Sequence, residues 1–297
     1  MKWIDYASPS TLDEAIGIFD ESGGKARPMA GGTDLIVLLR VNPERVNSPE
    51  LIVDIKEIPE LNELSYSATG GLTLGAAVPC YKIYQNPEVA KAYPGLIDAA
   101  SLIGGIQIQG RASIGGNLCN STPSADSIPA MIAHNVMCKI AGPNGTREVA
   151  VENFCTGPSQ NVLESNELLV SLHFPPSPDN FGARYIRFIP RNEMDIAVAG
   201  AGVSVVLDNG TLKSARVALA SVAPTPLLVN KISEALAGQP ANEATVQEAG
   251  KLAKEAASPI TDMRGTVEYR KHLCDVLTRR ALAAAITRAK GGTVDAD

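Results

Sequence analysis

A proline-rich segment, Pro-Pro-Ser-Pro-Asp-Asn at residues 175–180, constrains the fold of this 297-residue chain more than any other feature. Proline fixes its own backbone and cannot donate to a β-ladder, so this segment predicts a linker. Before it, short helical and strand patterns alternate. After it, strand patterns at 183–189, 196–207 and 212–221 come first, and helical patterns follow to about residue 288. This order predicts an α+β protein.

The stretch from residue 104 to 126 is the longest part of the chain with neither helical nor strand periodicity. It is rich in Gly, Ser, Asn and Pro, and connections of this length are usually functional. The residues before it, 92–103, predict a helix with Pro94 near the first turn. Near the N-terminus, Thr11 and Glu14 have the spacing of a capping box, which predicts that a helix begins there.

Two glycine pairs are candidates for binding a diphosphate: Gly31-Gly32-Thr33, between a strand and a helix, and Gly115-Gly116-Asn117, in the long connection. Glycine lets backbone N–H groups approach phosphate oxygens, because it has no Cβ. Either pair alone favours a simple tight turn, whereas both in one domain favour a bound cofactor. Asp34 would repel a diphosphate, so its side chain is expected to point away from the site.

Other motifs give weaker signals. Asp126 can accept hydrogen bonds from hydroxyl groups of a ribityl chain or ribose, and it fits equally well as an acid in the first turn of a helix. Gly200-x-Gly202 lacks a third glycine and is followed by strand residues, so it is not a dinucleotide fingerprint. The three histidines are far apart and no serine or cysteine lies in a nucleophile motif, so no residue is assigned a catalytic or metal-binding role.

Charge and composition limit the partners and the compartment. A net charge of -6 argues against nucleic acid, because phosphate backbones are bound by surplus Lys and Arg. No apolar run approaches the roughly 20 residues needed for a membrane span. Five cysteines without a Cys-x-x-Cys pair favour neither a disulfide framework nor an iron–sulfur site, which predicts a cytoplasmic protein.

Three segments carry a resemblance to a known family: Ala-Gly-Gly-Thr-Asp-Leu at 30–35, Arg-Ala-Ser-Ile-Gly-Gly-Asn at 111–117 and Ser-Thr-Pro-Ser-Ala-Asp at 121–126. They resemble the FAD-binding segments of the medium subunits of molybdenum hydroxylases, the xanthine dehydrogenase family. The resemblance extends over nearly the whole chain and is specific, because both glycine motifs occur at the family's spacing.

The resemblance implies a fold. It implies an FAD-binding domain of the vanillyl-alcohol-oxidase (PCMH) type at 1–176, with lobes at about 1–56 and 57–176. It also implies a C-terminal domain at 181–289, like that of the CO dehydrogenase flavoprotein, with a small antiparallel sheet and helices. Residues 290–297 are expected to form a tail. The linker predicted at 175–180 falls between the two domains.

The resemblance also implies the cofactor-binding residues. Residues 28–35 would wrap the diphosphate, 113–117 would complete the site, and Asp126 would hold a cofactor hydroxyl. Ile103 and Leu169 match apolar contacts of the flavin. Arg187 matches a basic residue at the flavin edge that is usually lysine; arginine keeps the positive charge but changes its geometry. The full set is Pro28, Met29, Ala30, Gly31, Gly32, Thr33, Asp34, Leu35, Ile103, Ser113, Ile114, Gly115, Gly116, Asn117, Asp126, Leu169 and Arg187.

The function implied by the resemblance is electron relay. FAD would be the only redox group of this chain, with [2Fe-2S] clusters in a small partner subunit and molybdopterin in a large one. The assembly would be a dimer of heterotrimers that passes electrons from FAD to an external acceptor.

Two alternatives remain at this level. One is a stand-alone FAD oxidoreductase of the same fold with its own substrate pocket, and the other is a flavin-free binding module. We expect Asp126→Ala to weaken FAD retention without unfolding the chain, and we expect the chain alone not to oxidise purines, aldehydes or N-heterocycles.

Overall fold

The computed structural model describes residues 3–191 and 194–294, so residues 295–297 of the expected tail lie outside the described residues. Its first lobe is a three-stranded parallel sheet in the order β1-β3-β2, formed by β1 (Asp5–Ala7), β2 (Ala26–Met29) and β3 (Leu51–Asp54). Two helices accompany this sheet, α1 (Leu12–Glu21) and α2 (Leu35–Val41).

The start of α1 follows the predicted capping box. The Thr11 hydroxyl accepts a hydrogen bond from the N–H of Glu14 at 3.2 Å. The Glu14 carboxylate accepts from the N–H of Ser10 at 2.9 Å, one residue before the cap. Two of the free amides at this helix end are thereby satisfied. Ala15 and Phe19 then lie buried on the inner face of the helix.

The second lobe is built on a five-stranded antiparallel sheet in the order β4-β5-β10-β6-β7. Its strands are β4 (Leu64–Ser67), β5 (Gly71–Gly75), β6 (Met137–Gly142), β7 (Gly145–Ala150) and β10 (Leu168–Phe174). A two-stranded ladder, β8 (Cys155–Gly157) and β9 (Gln160–Asn161), lies beside it. The helices of this lobe are α3 (Cys80–Tyr84), α4 (Pro87–Ala92), α5 (Pro94–Ala100), α6 (Ile106–Gln109), α7 (Ile114–Asn120) and α8 (Ser127–Ala133).

The stretch at 104–126 differs from the prediction of an irregular connection, because it contains α6 and α7. These helices have four and seven residues, too short to produce apolar periodicity in the sequence. The predicted helix at 92–103 is also shorter, since α4 ends at Ala92 and a separate helix begins at Pro94. Proline at the first position of a helix is favourable, and it cannot continue the preceding one.

The C-terminal domain has the predicted order of strands followed by helices. Its antiparallel sheet, in the order β11-β12-β13-β14, comprises β11 (Phe181–Phe188), β12 (Ala199–Asp208), β13 (Thr211–Ala220) and β14 (Leu227–Leu228). Three helices follow: α9 (Asn230–Leu236), α10 (Glu243–Ala256) and α11 (Val267–Ala289). Gly200 and Gly202 lie in β12, so they belong to a strand as predicted. The α+β fold class is therefore confirmed.

Close backbone packing fixes the C-terminal sheet between two sets of helices. A Cβ on Gly202 would lie 2.5 Å from the carbonyl of Pro129 in α8, so β12 touches this helix of the second lobe. On β11, a Cβ on Gly182 would lie 2.0 Å from the carbonyl oxygen of Ala285 in α11. Since both contacts need glycine, β12 packs closely on α8 across the boundary between the domains, and β11 packs closely on α11 within the C-terminal domain. No helix in the described part of the chain is long and apolar enough to cross a membrane.

Candidate functional site

A cleft of about 830 Å³ lies between the two lobes of the N-terminal domain. Its volume is in the range of about 300–1,000 Å³ typical of ligand sites. One wall is formed by the end of β2, the first glycine segment and α2. The other is formed by the start of α7, the strand β10 and residues 156–165 around β8 and β9.

The two glycine segments pack against each other, although about 80 residues separate them in sequence. A Cβ on Gly31 would lie 2.0 Å from the carbonyl oxygen of Arg111, closer than side chains approach any atom. Glycine at position 31 therefore lets the first segment contact the backbone of Arg111, four residues before Gly115. Gly32 has a φ of +72°, a left-handed conformation that glycine adopts without strain.

The first glycine segment presents free hydrogen-bond donors. Among the described residues, no backbone or side-chain acceptor takes a hydrogen bond from the N–H of Gly31, Gly32 or Thr33. All three residues line the cleft. Backbone donors grouped in this way suit an anion with several oxygens, such as a phosphate.

The second glycine segment forms the first turn of α7. The Ser113 hydroxyl caps this helix by accepting a hydrogen bond from the N–H of Gly116 at 3.0 Å. Gly115 packs against the second lobe, where a Cβ would lie 2.5 Å from the carbonyl oxygen of Ala76. Gly116 is exposed, so it leaves the mouth of the cleft open. Asn117 accepts a hydrogen bond from the Ser127 hydroxyl at 2.6 Å, which ties α7 to α8.

Most of the predicted site residues line this cleft. They are Pro28, Met29, Ala30, Gly31, Gly32, Thr33, Asp34, Leu35, Ile103, Ser113, Gly115, Gly116, Asn117 and Leu169. Ile114 is fully buried in the hydrophobic core of the second lobe, where it supports the glycine turn from behind. Asp126 and Arg187 are not among the residues that line the cleft.

Asp34 links the two walls of the cleft. It occupies the cap position of α2, but its carboxylate accepts no capping hydrogen bond there. Instead, Asn120 at the end of α7 donates to the carboxylate at 3.3 Å. Burial raises the pKa of Asp34 above its ordinary value, because few polar groups replace the lost water.

Asp126 lies at the boundary between the N-terminal and C-terminal domains. Its carboxylate accepts a hydrogen bond from the Tyr185 hydroxyl at 2.8 Å and forms an ion pair with Arg187 at 2.6 Å. Burial raises the pKa of Asp126 to about 6, and the positive charge of Arg187 opposes this rise. Both carboxylate oxygens therefore have donors from β11 in this structure.

Sequence reasoning missed one wall of the cleft and one charged residue. The wall runs through residues 156–165 and includes Thr156, Ser159, Gln160, Asn161, Leu163, Glu164 and Ser165. No sequence motif marks these residues, because β8 and β9 are very short and irregular. Asn161 fixes this wall to α7 by donating to the carbonyl of Cys119 at 2.9 Å. The missed charge is Arg27, whose only signal was its position just before the first glycine segment.

Comparisons with known proteins place this cleft in context. Residues 2–177 match the family model of the FAD binding domain in molybdopterin dehydrogenase, and residues 184–285 match that of the CO dehydrogenase flavoprotein C-terminal domain. The chain is 31% identical to the xanthine dehydrogenase FAD-binding subunit of Escherichia coli O157:H7, over 97% of this chain and 98% of that one. It is 30% identical to the carbon monoxide dehydrogenase medium chain of Afipia carboxidovorans, with the same coverage.

Solved structures show the same fold. A chain of carbon monoxide dehydrogenase from Hydrogenophaga pseudoflava, in a form that lacks the Mo-pyranopterin moiety, superposes with a TM-score of 0.91 at 30% identity. The match covers 97% of this chain and 98% of that one. A chain of quinoline 2-oxidoreductase from Pseudomonas putida 86 gives a TM-score of 0.88 at 28% identity, with 97% and 99% coverage.

Proposed function

Because this chain belongs to the family of FAD-binding medium subunits of xanthine and carbon monoxide dehydrogenases, we propose that it relays electrons through FAD within a molybdenum hydroxylase. In this proposal FAD accepts electrons from [2Fe-2S] clusters of a partner subunit and passes them to an external acceptor. The oxidation of the organic substrate takes place on another subunit.

The observation that carries the proposal is the cleft with a glycine segment on each wall. Residues 28–35 and 113–117 would hold the cofactor, with the free amides of Gly31, Gly32 and Thr33 directed at the diphosphate. Ile103 and Leu169 provide apolar surface for the flavin ring. Gly115 would act indirectly, because its close contact is with the backbone of Ala76, and Gly31 would in addition hold the first segment against Arg111.

The chain's own residues bind and orient; they do not react. Bound FAD supplies one- and two-electron transfer, which no side chain of the cleft can perform. The described part of the chain contains no group of three or more His, Cys, Asp and Glu side chains arranged to hold a metal ion. The contribution of the protein to such a relay is therefore the position and the electrostatic surroundings of the cofactor.

The ion pair of Asp126 and Arg187 would act on the site from the domain boundary. The family resemblance implies that Asp126 binds a cofactor hydroxyl and that Arg187 contacts the flavin edge. In this structure they form an ion pair, Asp126 also accepts from Tyr185, and the Nε of Arg187 is buried without a hydrogen-bond partner among the described residues. Contact with FAD would require the carboxylate and guanidinium groups to be shared with it, and the proposed site includes both residues.

The proposed partners are a small [2Fe-2S] subunit and a large molybdopterin subunit, assembled as a dimer of heterotrimers in the cytoplasm. Support comes from relatives that are named as medium chains or FAD subunits of dehydrogenases for carbon monoxide, glyceraldehyde and nicotinate. The domain limits at 1–176 and 181–289 belong to the same proposal.

A flavin-binding experiment tests the cofactor site. The full chain, reconstituted with FAD and passed through gel filtration, is expected to show flavin absorption bands at one FAD per chain. Gly116→Val is expected to remove most of this absorbance, because Gly116 lines the cleft and a Cβ there would lie 3.0 Å from the Ser113 hydroxyl that caps α7. The matched control is Gly110→Val, at an exposed position where a Cβ meets no atom within 4 Å. A wild-type chain that retains no FAD contradicts the proposal.

An activity experiment separates the relay from a stand-alone oxidoreductase. The FAD-loaded chain, freed of molybdenum, is incubated with purines, aldehydes and N-heterocycles in the presence of an artificial electron acceptor. We expect no reduction of the acceptor. Turnover of any of these substrates by the chain alone contradicts the relay and favours an enzyme with its own substrate pocket.

A further inference from the structure

The charges that line the cleft are unequal. Of the residues that the structure describes there, Arg27 is the only Lys, Arg or His, whereas Asp34, Glu164 and Glu167 are acidic. A diphosphate brings further negative charge into this space. A positive partner would therefore strengthen its binding, because backbone amides supply hydrogen bonds but no net charge to offset these carboxylates.

Two of the acidic residues already have partners. Arg147, outside the cleft, forms a two-pronged ion pair with Glu167 at 2.8 and 2.7 Å and holds the pKa of this carboxyl below its ordinary range. Asp34 accepts the hydrogen bond from Asn120. The carboxylates of Glu167 and Asp34 are thus hydrogen-bonded, but neither contact supplies a positive charge that a ligand in the cleft could use.

Arg27 is held in place and lacks a carboxylate partner. It lies on β2, directly before the first glycine segment, and its Nε donates to the carbonyl of Val46 at 3.2 Å. No Asp or Glu among the described residues lies within ion-pair distance of its guanidinium. The side chain is partly buried, and burial lowers the pKa of Arg27. An arginine with these surroundings gains from an anion that enters the cleft.

We propose that Arg27 is the cationic anchor for the diphosphate-bearing ADP half of FAD. The inference rests on the proposed binding of FAD in this cleft and adds a residue outside the segment at 28–35. The hydrogen bond to Val46 holds the Nε side of the guanidinium, and Arg27 lines the cleft, so its remaining N–H groups would be available as donors to phosphate oxygens. The free amides of the glycine segment complete the set of donors.

The test measures binding of four probes to the full chain: FAD, ADP, adenosine and riboflavin. Arg27→Gln is expected to lower the affinity for FAD and ADP by about tenfold or more, since a hydrogen-bonded charge pair is lost. Adenosine and riboflavin, which carry no phosphate, are expected to bind within about twofold of wild type. Arg27→Lys is expected to recover part of the loss, because it keeps the charge but not the fork of donors.

The control is Arg40→Gln. Arg40 is exposed in the last turn of α2, so this substitution changes the net charge equally outside the cleft. It is expected to leave all four affinities unchanged. A second measurement does not depend on any variant: wild-type affinity for ADP should fall with added salt, and affinity for adenosine should not.

Besides unchanged binding by Arg27→Gln, three results overturn the inference. They are equal loss of ADP and adenosine binding in Arg27→Gln, an equal effect of Arg40→Gln, and salt-independent binding of ADP by wild type. If wild type binds FAD normally and Arg27→Gln does too, only the role of Arg27 fails. If wild type binds neither FAD nor ADP, the proposed function fails first.

Discussion

Substitution of Gly31 tests whether backbone contact between the two glycine segments builds the cleft. In Gly31→Ala the new Cβ would lie 2.0 Å from the carbonyl oxygen of Arg111, against a lower limit near 3.0 Å for real contacts. The two segments must therefore move apart by about 1 Å. Both contacting groups are backbone, which has no rotamer to change, so we expect a loss of about 3 kcal/mol in the free energy of unfolding.

The assay is urea unfolding of the full chain followed by circular dichroism, together with FAD titration of the folded protein. A loss of about 3 kcal/mol should move the urea midpoint down by about 1 M. Displacement of the donors of Gly31, Gly32 and Thr33 should weaken FAD binding by about tenfold, since one hydrogen bond to a charged group contributes this much.

The matched control for this experiment is Gly110→Ala, one residue before Arg111. Gly110 has φ -66° and ψ -15°, and a Cβ there meets no atom within 4 Å. We expect it to be neutral or more stable by about 0.5 kcal/mol, because alanine restricts the unfolded chain. If Gly31→Ala unfolds at the same urea concentration as this control and binds FAD as well, the contact does not constrain the cleft.

Three further substitutions test the domain boundary and a buried histidine. Asp126→Asn should destabilise the fold by about 3 kcal/mol, because it leaves Arg187 buried without a counter-charge. The double variant with Arg187→Met should recover part of this stability in urea unfolding, and no recovery would refute the pairing. Gly202→Ala should cost about 1–3 kcal/mol, because a Cβ would lie 2.5 Å from the backbone of Pro129; a neutral result in thermal unfolding would show that the sheet and helix can separate freely. Burial lowers the pKa of His134 from 6.5 to about 4, so the unfolded chain takes up the proton first as pH falls. The stability that neutral His134 confers is complete above pH 6.5 and is lost towards pH 4, by about 3 kcal/mol; equal pH profiles for wild type and His134→Gln would contradict this.

The prediction for Asp126 changes once its surroundings are known. From the sequence, loss of this carboxylate was expected to weaken FAD retention without unfolding the chain. The structure gives the carboxylate two buried partners in the C-terminal domain, Tyr185 and Arg187. Removal of one member of a buried ion pair is costly, because the other remains desolvated. FAD retention by Asp126 variants must therefore be compared at equal folded fraction.

Local features were predictable because each is encoded in consecutive residues. The cap of α1 at Thr11 depends on a hydroxyl and an amide three residues apart. The hairpin between β12 and β13 depends on Asn209 and Gly210, which both have the positive φ that its turn requires. Proline at 94 sets the start of α5, and Pro175, Pro176 and Pro178 lie in the connection between β10 and β11. The α+β class followed from the order of these elements.

The family resemblance led to the cleft only where its lining residues form a motif. Residues 28–35 and, apart from Ile114, 113–117 line the cleft, and their assignment to the cofactor stays a prediction. The wall at 156–165 could not, because its residues meet the cleft only through pairing of β8 with β9 and the hydrogen bond from Asn161 to α7. Such contacts join residues that are far apart in sequence. They form only when the intervening chain closes into a loop, and no local sequence pattern indicates that closure.

The sequence by itself determined the fold class and the local backbone of the two glycine segments, because backbone preferences of Gly, Pro, Thr and Asn act within a few residues. Only the tertiary structure decided that Gly31 meets Arg111, that Asp126 pairs with Arg187, and that the cleft has a single described cation at Arg27. Those outcomes depend on packing between distant parts of the chain. Burial and close contact there determine which residues become partners, and the sequence alone does not show these pairs.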